Sequence, residues 1–146
     1  MIRTSIASPQ ELVPLPFAHL REVSRMVLEG EGVKEAKISL AFVDNTTIHR
    51  INKQFLDHDE PTDVITFPLS GEGAKKLEGE LVIGVEVAIE QAKDRGHPVD
   101  TELSLYVIHG LLHLCGYDDR TKKDAAEMRV KEREYLKALQ LPDIAG

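Results

Sequence analysis

Four short stretches of the chain have patterns typical of β-strands: hydrophobic and polar residues alternate in the first two, and the last two are mostly apolar. In the second stretch, AKISLAFV, Ile38, Leu40 and Phe42 fall on one face. The last two stretches are separated by the glycine-containing segment 70–76, which predicts a β-hairpin. The predicted strands cover 2–6, 36–43, 64–69 and 79–84.

Apolar residues at intervals of three and four predict five helices between and after these strands. We expect Asn45 and Asp100 to cap the second and fourth helices, and Thr121 with Asp124 to start the last one. The fourth helix is apolar on nearly every side, which predicts a buried central helix. The predicted helices cover 16–29, 45–55, 84–96, 100–114 and the region after Thr121, while 57–61 reads as a turn.

These elements predict an α+β fold with a mixed, mostly parallel sheet and one antiparallel edge hairpin, packed by about five helices. The chain has 146 residues, the size of one domain, so we expect a single domain over 1–146. Its 42% hydrophobic and 29% charged residues are ordinary for a soluble domain. We find no secretory signal, no apolar run of the ~20 residues that cross a bilayer, and no sign of an organic cofactor.

Charge and cysteine content narrow the expected partners and compartment. The net charge of −7 disfavours non-specific binding to nucleic acid. A local basic patch at Arg120, Lys122 and Lys123 could still hold phosphates, although solvated surface is the alternative. The single cysteine, Cys115, excludes an internal disulfide and fits a cytoplasmic location. The oligomeric state does not follow from the sequence.

The clearest chemical signal is a histidine pair on the predicted central helix. His109 and His113 are four residues apart, so their imidazoles share one face and can bind one ion. Gly116 suits a left-handed helix end that returns the chain beneath the pair. Asp118 or Asp119 would then supply a third ligand. Three protein ligands leave one position open, as in catalytic zinc sites.

Two other interpretations of this segment are open. The histidines could be core residues bonded to carbonyl groups. The spacing also matches metzincin proteases, but those enzymes need a glutamate directly after the first histidine. Here that position is Gly110, which has no side chain to accept a proton. A zincin-like peptidase is therefore disfavoured.

The segment HGLLHLCGYDD, residues 109–119, resembles the H-G-x-L-H-L-x-G-Y-D-H motif of the YbeY family of endoribonucleases. Two further blocks, at 51–68 and 79–83, agree with the family in order and spacing. The resemblance implies an α+β fold with one Zn²⁺ per chain on the histidine helix, held here by His109, His113 and Asp119. It also implies cleavage of single-stranded RNA in 16S rRNA 3′-end maturation and ribosome quality control, with ribosomal RNA and the ribosome as partners.

The chain departs from the family motif at two positions. Asp119 stands where the family has histidine, and a carboxylate is a plausible zinc ligand. Leu56 stands where the family has arginine, which would suit contact with a scissile phosphate. The second departure leaves an alternative function open: a ribosome-associated metal-binding factor whose cleavage activity is lost or weak.

Other polar residues are weaker candidates. Asp63, which follows Thr62, could orient a metal ligand, could serve as a proton acceptor, or could be an ordinary turn residue. Cys115 lies about 200° round the helix from His113, so we expect it to point away from the ion. We expect the four remaining histidines to lie on the surface: His19, His49, His58 and His97.

Overall fold

The computed structural model describes residues 1–56, 62–71 and 74–145. Within these ranges the strands are β1 (Ile2–Ala7), β2 (Ala36–Val43), β3 (Val64–Pro68) and β4 (Leu77–Gly84). The helices are α1 (Phe17–Gly30), α2 (Asn45–Leu56), α3 (Val85–Arg95), α4 (Val99–Leu114) and α5 (Lys122–Ala138). The predicted turn at 57–61 lies outside the described residues, as does part of the predicted hairpin loop at 70–76.

The four strands form one sheet in the order β1-β2-β4-β3. β1 pairs with β2 and β2 with β4 in parallel, whereas β3 pairs with β4 in antiparallel register from Val64↔Ile83 to Pro68↔Gly79. This arrangement confirms the predicted α+β class, the mostly parallel sheet and the antiparallel edge hairpin. In this order β1 and β3 are the two edge strands of the sheet.

Helix α4 is the centre of the larger hydrophobic core, as its apolar composition predicts. Residues 101–108 and 110–112 are buried, and the helix packs against α1, α3, α5, β3 and β4. Two glycines allow it to lie close to β4. A Cβ atom at Gly110 would lie 2.8 Å from Leu81 Cδ1, and one at Gly79 would lie 2.7 Å from Leu114 Cδ1. A smaller core lies beside α2.

Two of the predicted helix caps are wrong. Asp44, not Asn45, caps α2, because its Oδ1 accepts a hydrogen bond from Thr47 N at 2.9 Å. Pro98 precedes α4 in extended conformation, so Asp100 lies in the first turn, where its charge still suits the helix dipole. Thr121 caps α5 as predicted, since its hydroxyl accepts a hydrogen bond from Asp124 N at 3.0 Å.

Helix α4 ends in a tight turn at Gly116, whose φ of +104° is in the left-handed region. Gly116 N donates to His113 O and Tyr117 N donates to Leu112 O, each at 3.0 Å, which satisfies carbonyl groups at the helix end. The prediction for Gly116 is thus confirmed. In the described part of the chain, no helix combines the length and apolar character that spanning a membrane requires.

We predict that Gly116→Ala lowers the free energy of unfolding by about 1–2 kcal/mol, because a Cβ atom disfavours the left-handed conformation. Urea denaturation of the purified proteins would measure the loss. Gly71→Ala is the matched control, because Gly71 is exposed and a Cβ atom there would meet no neighbour within 4 Å among the described residues. Equal unfolding midpoints for the two variants would contradict the prediction.

Candidate metal centre

The structure brings His109, His113 and Asp119 together at the C-terminal end of α4. The two Nε2 atoms are 3.1 Å apart, and the imidazole rings meet edge to face. Asp119 Oδ2 lies 3.6 Å from His109 Nε2 and 3.8 Å from His113 Nε2. Each imidazole is about one-quarter exposed and Asp119 is about half exposed, so the group faces solvent from a largely buried helix.

The spacing of these three atoms fits a divalent cation. Zinc bonds of about 2.0–2.2 Å in a tetrahedral arrangement place neighbouring ligand atoms about 3.3–3.6 Å apart. The three donor atoms are 3.1–3.8 Å apart, so small side-chain rotations would complete the geometry. Two nitrogens and one carboxylate oxygen are a donor set that zinc accepts, and such a set leaves a fourth position open.

The two adjacent aspartates have different surroundings. Asp118 Oδ1 accepts a hydrogen bond from Asp119 N at 2.8 Å, and Asp118 Oδ2 lies 3.4 Å from Arg120 Nε. Asp118 therefore stabilises the turn after Gly116, while the side chain of Asp119 approaches the histidines. The structure thus favours Asp119 as the third candidate ligand.

Glu132 is a site residue that sequence reasoning missed. It belongs to α5, is 6% exposed, and places Oε2 3.6 Å from His109 Nδ1. Burial lowers the pKa of His109, but the Glu132 carboxylate, with smaller effects of Asp63 and Asp119, raises this pKa overall. A signal was available in the sequence, because Glu132 interrupts the apolar stripe of α5 between Met128 and Leu136.

The weaker candidates Thr62 and Asp63 lie at the start of β3, beside the histidines. Asp63 Oδ1 accepts hydrogen bonds from Val64 N at 2.7 Å and Thr62 Oγ1 at 3.3 Å, as expected of a turn residue. Gly84 allows this segment to approach, because a Cβ atom there would lie 2.5 Å from Thr62 O. Asp63 also faces the site, since it lines the same clefts as His109.

Two clefts meet at the candidate centre, and both include Asp63, His109 and Asp119 in their walls. The first, which we call the β3 groove, has a volume of about 610 Å³ and lies between β3 and the 116–120 turn. The second, of about 430 Å³, lies among α3, α4 and α5. The candidate ligands therefore lie where the clefts meet, with His109 and Asp119 in the walls of both and His113 in the wall of the β3 groove.

Leu56 and one of the predicted phosphate-binding residues line the β3 groove. Leu56 is 45% exposed, so the family's arginine position opens onto the site. Arg120 also lines the groove and is largely exposed, with Asp118 as its ion-pair partner. Lys122 and Lys123 are exposed in the first turn of α5.

The expectation that the other histidines lie on the surface is wrong for His97. Its side chain is 8% exposed, and Nε2 lies 2.8 Å from Oε1 of the fully buried Glu102. The link between α3 and α4 folds His97 over this carboxylate, which Arg95 also approaches at 3.4 Å. His19 and His49 are half-buried, and His19 Nε2 lies 3.0 Å from Ser104 Oγ. His58 lies outside the described residues.

A mixed sheet packed by a buried helix with two convergent histidines, and a carboxylate from the turn that follows this helix, define the class: a small α+β domain with a candidate metal centre. Comparison with known proteins gives the family. The family model described as Endoribonuclease YbeY matches residues 10–140, so the chain belongs to the YbeY family. The resemblance seen in the sequence is confirmed.

Individual relatives agree with this assignment. Endoribonuclease YbeY of Bacillus cereus strain G9842 is 38% identical over 147 residues, covering 93% of this chain and 94% of the relative. The protein of the same name from Bacillus thuringiensis strain Al Hakam is 38% identical over 133 residues, covering 84% and 85%. The solution structure of TM1509 from Thermotoga maritima matches with a TM-score of 0.68 and 30% identity, covering 95% of this chain and 89% of that one.

We predict that Cys115 reacts slowly with iodoacetamide and is not a metal ligand. Burial, with a smaller contribution from Glu31, raises the pKa of this thiol to about 11. Its thiolate fraction at pH 8 is then about two-hundred-fold below that of a free cysteine with a pKa of about 8.5. Mass spectrometry should show a rate that rises about tenfold per pH unit from pH 7 to 9. A rate equal to that of free cysteine, or one blocked by added zinc, would disprove the prediction.

Proposed function

We propose that this protein is a metal-dependent endoribonuclease that cleaves single-stranded ribosomal RNA. The observation that carries the proposal is the convergence of His109, His113 and Asp119 on an open groove in a chain of the YbeY family. The relatives described above carry the name endoribonuclease, which supports RNA as the substrate. The whole of residues 1–146 would act as one hydrolase domain.

One Zn²⁺ per chain would be held by His109, His113 and Asp119. When bound, zinc supplies a Lewis acid that polarises a phosphoryl oxygen and acidifies water. An aspartate in place of the family's histidine lowers the net charge of the site by one unit. Zinc in this chain would therefore be a weaker acid than at a site with three neutral histidines.

The protein's own residues give the groove its shape and charge. The carboxylates of Asp63, Asp118, Asp119 and Glu132 surround the histidines and would repel a phosphodiester. A divalent cation offsets two of these charges. Arg120 at the groove could exchange its contact with Asp118 for a phosphate oxygen, because guanidinium groups bind both kinds of oxygen.

Lys122 and Lys123 would extend the positive surface along the backbone of the RNA. They lie at the N-terminal end of α5, where the helix dipole also favours a phosphate. Asp63 lies at the groove beside His109 and is the candidate proton acceptor, with Thr62 hydrogen-bonded to it. Its Oδ1 already accepts two hydrogen bonds, which would leave Oδ2 to face the substrate.

The cellular role that we propose is 16S rRNA 3′-end maturation and ribosome quality control in the cytoplasm, with the ribosome as partner. Membership of the YbeY family supports this assignment. A second candidate function is a ribosome-associated metal-binding factor without effective cleavage. Leu56 favours it, because an apolar side chain lines the groove where the family has an arginine.

We predict near-stoichiometric zinc in the wild-type protein purified without added metal. Asp119→Ala should lose most of this zinc, because its carboxylate is the third donor at 3.6–3.8 Å from the imidazoles. Asp118→Ala is the matched control and should retain zinc, since Asp118 bonds the turn and Arg120 instead. Metal content per chain is measured by inductively coupled plasma mass spectrometry. Loss of zinc from Asp118→Ala alone would contradict the assignment.

We predict that Leu56→Arg raises kcat/KM for cleavage of a single-stranded rRNA fragment by about 10- to 100-fold. An arginine in the groove would stabilise charge that develops on the phosphate. Gln54→Arg is the control, because Gln54 is exposed on the same helix but does not line the groove. An equal gain in both variants would indicate a general charge effect.

The same assay separates the two candidate functions. Cleavage by the wild type that a chelator abolishes would support the endoribonuclease. If zinc-loaded wild type and Leu56→Arg both leave the RNA intact while binding ribosomal subunits, the metal-binding factor is the better description. Loss of the arginine would then not be the reason for inactivity.

A further inference from the structure

We infer that Glu132 is a positioning residue for the candidate metal centre, holding His109 by Nδ1 so that Nε2 is directed at His113 and Asp119. The inference rests on the proposed metal binding and assigns a role to a residue outside the histidine motif. It would make α5 part of the site, although none of the three candidate ligands lies on that helix.

The position of Glu132 on α5 makes it unusual. Its neighbours on the inner face of the helix are buried, with Met128 one turn before and Leu136 one turn after. An apolar residue would be the ordinary choice between them. Instead a carboxylate lies at this position with 6% of its surface exposed, 3.6 Å from the imidazole.

The energetics of burial indicate that this carboxylate needs its partner. An ionised carboxylate taken out of water loses several kcal/mol of solvation unless a partner restores it. Across the described ranges, His109 is the basic side chain that approaches Glu132 within 4 Å. A leucine of similar size would fill the same space without this cost, so stability alone does not account for a glutamate here.

The geometry gives the carboxylate a specific effect on the imidazole. Nδ1 faces Glu132, whereas Nε2 faces the other two candidate ligands. When Nδ1–H donates to the carboxylate, the proton is kept off Nε2, and the Nε2 lone pair is free to bind a cation. A small rotation of either side chain shortens 3.6 Å to a hydrogen bond. The charge also makes Nε2 a stronger donor.

The test is a Co²⁺ titration followed by visible absorption, with Zn²⁺ competition for affinity. Partners of this kind change metal affinity by 10- to 100-fold. We expect Glu132→Gln, which keeps an acceptor but not the charge, to bind about 10-fold more weakly. Glu132→Leu should bind about 100-fold more weakly. Both should alter the Co²⁺ absorption bands, because the orientation of His109 changes.

Glu127→Gln is the matched control, since Glu127 is an exposed carboxylate on the same helix. It should bind Co²⁺ within twofold of wild type. A purely structural Glu132 would instead lower the melting temperature of the metal-free protein and leave metal affinity unchanged. For the Glu132 variants we expect the reverse. The melting temperature of the metal-free protein should change little, and added metal should raise it by less than in wild type.

The outcomes separate this inference from the proposed function. If wild type binds Co²⁺ and both Glu132 variants bind it equally well with unchanged spectra, the inference is overturned and the metal centre stands. If wild type itself binds no Co²⁺ or Zn²⁺, the proposed function and the inference both fail. Should Glu132→Leu not fold, the isosteric Glu132→Gln decides between these results.

Discussion

The close packing of α4 against β4 is the constraint on which the site depends. Gly110 faces Leu81 and Gly79 faces Leu114, at separations where a Cβ atom would collide. Helices α1, α3 and α5 pack against other sides of α4, so His109 and His113 are its partly exposed residues at the groove. It also explains why position 110 cannot supply a metzincin-type glutamate, because any side chain there would point into Leu81 rather than into the groove.

The end of the same helix fixes the third candidate ligand. Gly116 allows the left-handed turn, Asp118 holds the following backbone, and Thr121 then caps α5. Between these fixed points Asp119 is brought to the imidazoles, and α5 is brought to lie along α4 with Glu132 behind His109. The candidate centre is therefore built from two helices and the turn between them, and a change in this turn would move a ligand and its support together.

Most of the fold and half of the site could be predicted from the sequence, because both rest on local periodicity. Alternation or short apolar runs located the strands, and the four-residue spacing located His109 and His113. Adjacent residues were harder to separate: Asp44 caps α2 instead of Asn45, and the spacing left Asp118 and Asp119 open until the family motif indicated Asp119. Contacts made by folding were missed. Glu132 contacts His109 only when α5 packs against α4, and His97 contacts the buried Glu102 only when α3 and α4 pack together.

The two departures from the family motif act on the same quantity, the charge of the groove. Asp119 in place of histidine adds a negative charge, and Leu56 in place of arginine removes a positive one. Both positions share the β3 groove with the carboxylate of Asp63, so the metal-free groove is more negative than a groove with the family's residues would be. A bound divalent cation would then have two effects in this chain. It would supply the chemistry, and it would reduce the repulsion between the groove and an anionic substrate. Substrate binding and metal binding should therefore be coupled more tightly here than in a relative that keeps the arginine.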